Sequence, residues 1–501
     1  MHTPLRLSLL VTAALLAACG GGNDSPPRGS IAAPTESTQS FTTTSFSAQV
    51  NASAATAPIL QVAGAPTCGV DVQRIRYNTV GGTGEATTAS AALMVPTGTA
   101  AACTGARPIV LYAHGTTTDR NYNLASFAPT NAAYGEALLV AAMYAAQGFV
   151  VVAPNYAGYD SSALNYHPYL NANQQSSDMV DALTAARSVL ASGRDNGKLF
   201  ITGYSQGGYV AMATHRAMQA AGQTVTASAP LSAPSAISLL VDYSFSGAPA
   251  LGGTTFTPLL STSWQRQFGN VYSNITDVYE APYAATIENL LPSTQSIAAL
   301  VAANQFPATQ ALYAANAQPP LAVPALAPFG FYGPNNLIKS TFLAAAAADI
   351  VAQGCPGNAF PATAGSLSTT TPLACAPTNG FRRAAVANDL RNWLPTRPML
   401  MCGGANDPTV NFLSTRATAG YFSARGATAA SLTVLDLEAA ATGPTDPYAA
   451  AKAGFAQAVA ATAAGPGGAT SVVTSYHGGL VPPFCNAAAR GFFQGVIAAG
   501  I

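Results

Sequence analysis

The sequence predicts an α/β fold with a mainly parallel sheet flanked by helices. Three observations predict it. Apolar strand-like runs alternate with helix-patterned segments from Arg107 to Ser232, and such alternation implies right-handed βαβ units. The stretch Lys198–Tyr209, KLFITGYSQGGY, sets Gly203-Tyr204-Ser205-Gln206-Gly207 between an apolar run and an Ala/Met-rich helix. That is the context of a nucleophile elbow, where Gly203 and Gly207 remove side chains that would clash in so tight a turn. A long stretch without the alternation follows, and the pattern returns at Pro398–Met401.

Taken in order, the chain begins with Arg6 and the apolar run Leu7–Ala18, too short to span a bilayer as a helix. With Leu16-Ala17-Ala18-Cys19 it resembles a bacterial lipoprotein signal: residues 1–18 would be removed and Cys19 lipidated. An ordinary secretory signal is the alternative. Gly20 after the cysteine, by resemblance to Gram-negative sorting, favours the outer membrane. Residues 19–66 are rich in Gly, Ser, Thr, Pro and Ala and are expected to be a disordered tether. Order is expected from about Cys68.

Val70–Val80 and Thr87–Val95 alternate as a hairpin pair. Arg107–Ala113 is a buried strand ending in His114-Gly115-Thr116-Thr117. Ala132–Gln147 reads as a helix, Phe149–Pro154 as a strand, and Ser177–Ala191 as a helix with Ser177 as N-cap. The elbow strand, its helix to Ala221 and a strand at Val225–Ser232 follow. Residues 67–234 thus form a first core segment. Residues 235–396 are Ala-, Pro- and aromatic-rich and are expected to be a large, mainly helical cap inserted before the strand that carries an acid. Residues 397–501 complete the core, with a strand at Ser431–Leu437 and helices near Tyr448–Thr462 and Ala487–Ala499.

Lys+Arg and Asp+Glu both number 20, so the net charge is zero and no basic cluster points to nucleic acid. Only 8% of residues are charged, which suits a neutral or apolar substrate. If Cys19 carries lipid, six cysteines remain, an even number in an exported protein. Without a C-x-x-C, disulfides are expected rather than metal. Local geometry favours pairing in order: Cys68–Cys103, Cys355–Cys375 and Cys402–Cys485. The middle bridge would contribute about 3 kcal/mol in the loop-entropy account.

A serine hydroxyl needs a base, and the base needs a partner that fixes its tautomer. The chain has five histidines. His2 leaves with the signal, His114 ends an early strand, His167 lies upstream, and His215 sits on the helix after Ser205. His477, beside Gly478 and Gly479 in a loop after the last strands, is the expected base. Asp407 in the turn ANDPT is the expected acid, with Asp436, Glu438 and Asp389 as rivals. The backbone N–H groups of Gln206 and Thr116, or less favourably Thr117, are the expected oxyanion donors.

The elbow GYSQGG, the loop HGT, the turn ANDP and YHGG, in that order, resemble the α/β-hydrolase fold. The insert between elbow and acid turn is similar in position to the lid of the secretory lipase family. The resemblance implies a serine esterase or lipase: acyl transfer to Ser205, His477 as base and Asp407 orienting it, with no cofactor and no metal. Small-molecule, lipid or polyester ester substrates are expected, with membrane contact through the N-terminal lipid anchor alone, and a monomer. A proline-specific aminopeptidase is the alternative enzyme, with Asp242, Asp277, Glu280 or Glu288 as amine anchor. A non-catalytic surface lipoprotein is the third reading.

Overall fold

The computed structural model describes residues 25–317, 329–358 and 371–501. The expected signal peptide and Cys19 lie outside the described residues. The chain opens with β1 (Ile31–Phe41), α1 (Thr43–Val50), α2 (Pro58–Ala63), β2 (Gly69–Val80), β3 (Ala86–Thr97) and β4 (Arg107–Ala113). Then come α3 (Tyr134–Met143), β5 (Val150–Pro154), α4 (Ala172–Val189), β6 (Asp195–Tyr204), α5 (Gln206–Ala220) and β7 (Ala227–Leu231). The strands form one nine-stranded sheet of order β1-β2-β3-β5-β4-β6-β7-β8-β9, completed by β8 (Met399–Gly403) and β9 (Leu432–Asp436). The pairings from β1 to β5 are antiparallel, and those from β5 through β4 to β9 are parallel. Strands β5 and β7, in the middle of the sheet, are buried along their whole length, as continuous apolar runs require.

Between β7 and β8 the described chain is helical: α6 (Ile237–Phe245), α7 (Gly253–Phe268), the short α8 (Ala281–Ala284) and α9 (Ile297–Ala302), α10 (Ser340–Ala352) and α11 (Gly380–Ala387). Two buried arginines tie this region together. Arg382 pairs with Asp242 at 2.7 Å and Asp349 at 2.6 Å. Arg391 pairs with Asp389 at 2.9 Å, and Asp389 accepts from the backbone N–H and hydroxyl of Ser238 on α6. After β8 come α12 (Leu413–Ala424), then β9, α13 (Ala449–Ala463), α14 (Gly468–Ser475) and α15 (Val481–Ala498). Among the described residues no helix is long and apolar enough to cross a membrane.

The expectation of a disordered tether over 19–66 is corrected from residue 31 onward. β1 pairs antiparallel with β2, and Phe41, Phe46 and Val50 are buried. The polar composition misled because β1 is an edge strand. Backbone pairing holds it, Pro34 is tolerated there, and its Glu36 faces Arg74 at 3.3 Å and Arg76 at 2.5 Å. Even Arg28, before β1, pairs with Asp181 at 3.0 Å. Helix α4 is a second correction. It starts five residues before the expected Ser177 cap, with Asn171 accepting from the Gln174 N–H at 3.2 Å. Asp178 and Asp181 therefore lie inside the helix and face β2, bound to Tyr77 at 2.6 Å and Thr79 at 2.8 Å. Burial pushes the Asp178 carboxyl up to about 6.

Cys68 is joined to Cys103, Cys355 to Cys375 and Cys402 to Cys485, with Cα separations of 5.5, 4.8 and 5.7 Å. The first holds the start of β2 near the loop before β4, and the third links β8 to α15.

Deleting residues 25–63 tests the edge-strand account. Losing the buried side chains of Phe41, Phe46, Val50 and Ile59, at about 1.5–3 kcal/mol each, should lower the stability by several kcal/mol, read as a lower denaturant midpoint. An unchanged midpoint would restore the tether.

Candidate active site

Strand β6 delivers Ser205 into a turn with φ +60° and ψ −121°, a region that non-glycine residues rarely occupy. The strain is imposed by close approach to β4. A Cβ on Gly203 would lie 2.4 Å from the Ala113 carbonyl oxygen, and one on Gly207 would lie 1.9 Å from it. Only glycine fits at either place. The Ser205 N–H donates to the Leu231 carbonyl at 2.9 Å, which holds the turn against β7. Ser205 is then the N-cap of α5, whose N-terminal N–H groups favour negative charge.

Ser205 Oγ lies 2.7 Å from His477 Nε2, and His477 Nδ1 lies 2.6 Å from Asp407 Oδ2. The carboxylate can only accept, so Nδ1 carries the proton and Nε2 is free to accept from the hydroxyl. Asp407 is buried, and its Oδ1 accepts from the N–H groups of Thr409 and Val410 at 2.9 and 3.0 Å. Pro408 shapes that turn, leaving Oδ2 for the imidazole. His477 does not sit in a loop as expected. It occupies a single π-helical turn, Tyr476–Leu480, between α14 and α15. The adjacent Gly478 and Gly479 carry the signal for an irregular turn, but not its helical setting.

The rival acids have other work. Asp436 accepts from the Ala405 N–H at 3.1 Å, and Asp389 serves Arg391 and Ser238. Glu438 is close to the centre but acts on its neighbours. It accepts from the Asn406 N–H at 3.0 Å, and also from the Asn406 amide and the Tyr476 hydroxyl. It therefore joins the residue before Asp407 to the residue before His477. Tyr204, inside the elbow, donates to the His477 carbonyl at 2.6 Å. Sequence reasoning missed both supports; the signal for Tyr204 was only its place in G-Y-S-Q-G.

His114 and His215 are buried and engaged elsewhere. His215 Nδ1 lies 2.8 Å from Ser228 Oγ, and burial pushes its pKa down to about 4. His114 lies against Tyr156 with ring centroids 4.1 Å apart, and its Nδ1 is 2.7 Å from the Gly115 carbonyl. The Gly115 N–H donates to Glu136 at 3.2 Å, so the next backbone donor in that loop is Thr116. The loop packs on the elbow: a Cβ on Gly115 would lie 3.9 Å from the Ser205 Cβ. Gln206 follows the serine as the first residue of α5. Among the described residues no group of His, Cys, Asp and Glu could hold a metal ion.

A cavity of about 130 Å³ opens beside Ser205 under the helical region, walled by Ile237, Leu240, Val241, Phe245, Phe256 and Leu260. These come from α6, which the buried arginines fasten, and from α7.

A family model described as the prolyl oligopeptidase family matches residues 137–233, the segment from α3 to the end of β7. No curated protein matches the chain by sequence. Among solved structures, the rice cell wall degrading esterase LipA from Xanthomonas oryzae, in a ligand-bound form, is 25% identical with a TM-score of 0.66, over 93% of this chain and 98% of that one. A putative hydrolase from Legionella pneumophila is 16% identical with a TM-score of 0.61, over 93% and 97%. The chain has the α/β-hydrolase fold and is a serine hydrolase of that fold.

Two predictions follow from the supports. Glu438→Gln weakens the link between the acid and histidine turns and should lower kcat roughly tenfold with KM little changed, in keeping with the cost of a small misplacement; steady-state kinetics measure it. Replacing Cys402 and Cys485 by alanine should lower stability by about 2–5 kcal/mol, read by denaturant unfolding.

Proposed function

We propose that the protein is an exported carboxylic ester hydrolase, an esterase or lipase, acting through Ser205, His477 and Asp407. The observation that carries this is the unbroken relay of 2.7 and 2.6 Å beside an apolar cavity. In the first half-reaction His477 Nε2 takes the Ser205 proton as Oγ attacks the ester carbonyl. The backbone N–H groups of Gln206 and Thr116 receive the oxyanion. His477 then gives the proton to the leaving alcohol, whose bond to carbon breaks. Water repeats the route on the acyl-enzyme, releasing the acid and restoring the serine. Asp407 holds the imidazole in the required tautomer throughout.

The apolar wall of the cavity suits the acyl group of a neutral ester, whether lipid or soluble polyester fragment. The likeness to an esterase over nearly its whole length supports the ester reading. An aminopeptidase would need a carboxylate to hold the substrate amine. Among the described residues that line the cavity, the only carboxylate is Asp407, already bound to His477. The anchor suggested by Asp242 is buried against Arg382. Three disulfides support export. In this reading the core segments at 67–234 and 397–501 carry the chemistry and the cap at 235–396 carries acyl selection. Cys19 would tether the enzyme by lipid.

A nitrophenyl ester series beside an aminoacyl-anilide panel tests the proposal. Esters should turn over and anilides should not, and Ser205→Ala should lose at least about 10³-fold in kcat while folding normally. Turnover of anilides alone would transfer the protein to the peptidases, and inertness to both, without fluorophosphonate labelling of Ser205, to the non-catalytic reading. Leu240→Trp, filling the cavity wall, should shift preference toward shorter acyl chains by roughly tenfold in kcat/KM, about one methylene's worth of discrimination.

A further inference from the structure

The proposed mechanism leaves one buried histidine without a task. His167 lies in the loop between β5 and α4, with its neighbour Tyr169. Both are buried. His167 Nδ1 lies 2.9 Å from the Ala157 carbonyl oxygen, and Nε2 lies 2.6 Å from Gln206 Nε2. The Ala157 carbonyl can only accept, so Nδ1 must carry the proton. A neutral ring then has its lone pair on Nε2, and that lone pair accepts from the Gln206 amide. Burial, which pushes the His167 pKa down to about 3, keeps the ring neutral. Two residues on, the Tyr169 hydroxyl lies 2.8 Å from Thr116 Oγ1. One short loop therefore holds the side chains of both residues whose backbone N–H groups would receive the oxyanion.

The loop itself is fixed from two sides. The Leu170 carbonyl accepts from the Tyr209 hydroxyl at 3.1 Å and from the Trp264 indole N–H at 3.3 Å. Tyr209 lies on α5, behind the elbow, and Trp264 lies on α7, in the helical region. Leu170 adopts φ +48°, a conformation that an unconstrained leucine avoids.

We propose that His167 and Tyr169 are positioning residues that set the oxyanion donors, His167 through the Gln206 side chain and Tyr169 through the Thr116 hydroxyl. Each donor belongs to a different strand-end, Thr116 to β4 and Gln206 to β6. The pairing of β4 with β6 brings the two donors together, and the loop, gripping both side chains, restrains how each backbone N–H is aimed at the reacting carbonyl. Electrostatic stabilisation of an oxyanion depends on donors held in place before charge develops. Loss of either grip should therefore appear in the transition state more than in substrate binding. The inference rests on the serine-hydrolase reading, which Ser205→Ala tests separately.

The experiment uses the full chain and a nitrophenyl ester, with a trifluoromethyl ketone as oxyanion-forming inhibitor. Tyr169→Phe and Thr116→Val each remove one partner of the same hydrogen bond at almost constant volume. Each should lower kcat roughly tenfold, less than loss of a whole donor, with KM within about twofold, and raise the inhibitor Ki by the same factor as kcat/KM falls. The double variant should be no worse than either single one, because both remove the same contact. At position 167, His167→Asn keeps a donor for Ala157 but removes the acceptor for Gln206; His167→Gln can restore an acceptor there. The asparagine variant should lose roughly tenfold or more in kcat and the glutamine variant should recover most of it. Melting temperatures identify any variant that fails to fold. If wild type turns over, Ser205→Ala does not, and Tyr169→Phe with Thr116→Val leaves kcat and inhibitor Ki unchanged, the brace is refuted while the hydrolase reading stands. Effects of those two that add in full would refute it equally.

Discussion

The close approach of the elbow to the end of β4, at Gly203 on β6 and Gly207 on α5, is the constraint on which the rest depends. Ser205 is held in its strained conformation because the elbow has nowhere else to go: the Ala113 carbonyl fills the space on one side and the Leu231 backbone secures the other. Such strain persists only where the surroundings over-determine it. Here the surroundings are the two neighbouring parallel strands, buried and hydrogen-bonded in register. The same approach that forces the turn brings the His114–Thr116 loop against the serine. The site for negative charge is therefore a by-product of the packing that exposes the hydroxyl.

A serine fixed in this way is of use only if the imidazole arrives with comparable accuracy, and it arrives on a different support. His477 lies in a π-helical turn between two helices, where backbone hydrogen bonding alone would leave much freedom. The structure removes that freedom from three directions. The Cys402–Cys485 bridge ties β8, which leads to Asp407, to α15, which follows His477. Glu438 ties Asn406 to Tyr476, one residue before each functional side chain. Tyr204 ties the histidine's own carbonyl to the elbow. Two of these supports link the acid turn to the histidine turn and the third links the histidine turn to the elbow, so the histidine turn is held from both sides.

These supports explain which parts of the site could be read from the amino-acid sequence. The elbow was legible because its cause is local: two glycines, a serine and flanking periodicities state the steric problem within a few residues. The position of Asp407 after an apolar strand, and of His477 as the remaining downstream histidine, followed from chain order. Glu438 could be seen only as a rival acid, because its role depends on which neighbours reach it across separate loops. The edge strand β1 was hidden for a related reason. Its residues pair through the backbone and through Glu36, so its composition resembles that of a linker. Helix α4 began early because Asn171 caps as well as Ser177 would, and only the packing of Asp178 and Asp181 against β2 decides between them.

The buried charges of the helical region bear on how substrate reaches the serine. Arg382 is shared by Asp242 on α6 and Asp349 on α10, and Arg391 with Asp389 grips Ser238 on α6. Separating one partner from such a pair leaves an uncompensated buried charge, at a cost of about 3–5 kcal/mol. Every partner in these contacts lies within 235–396, so a helical region moving as one body would break none of them, whereas a shift of α6 alone would break several at once. The apolar face that α6 gives the cavity beside Ser205 is therefore held in shape by its neighbours in the insert, and the Trp264 contact to the Leu170 carbonyl ties α7 to the loop that bears His167 and Tyr169.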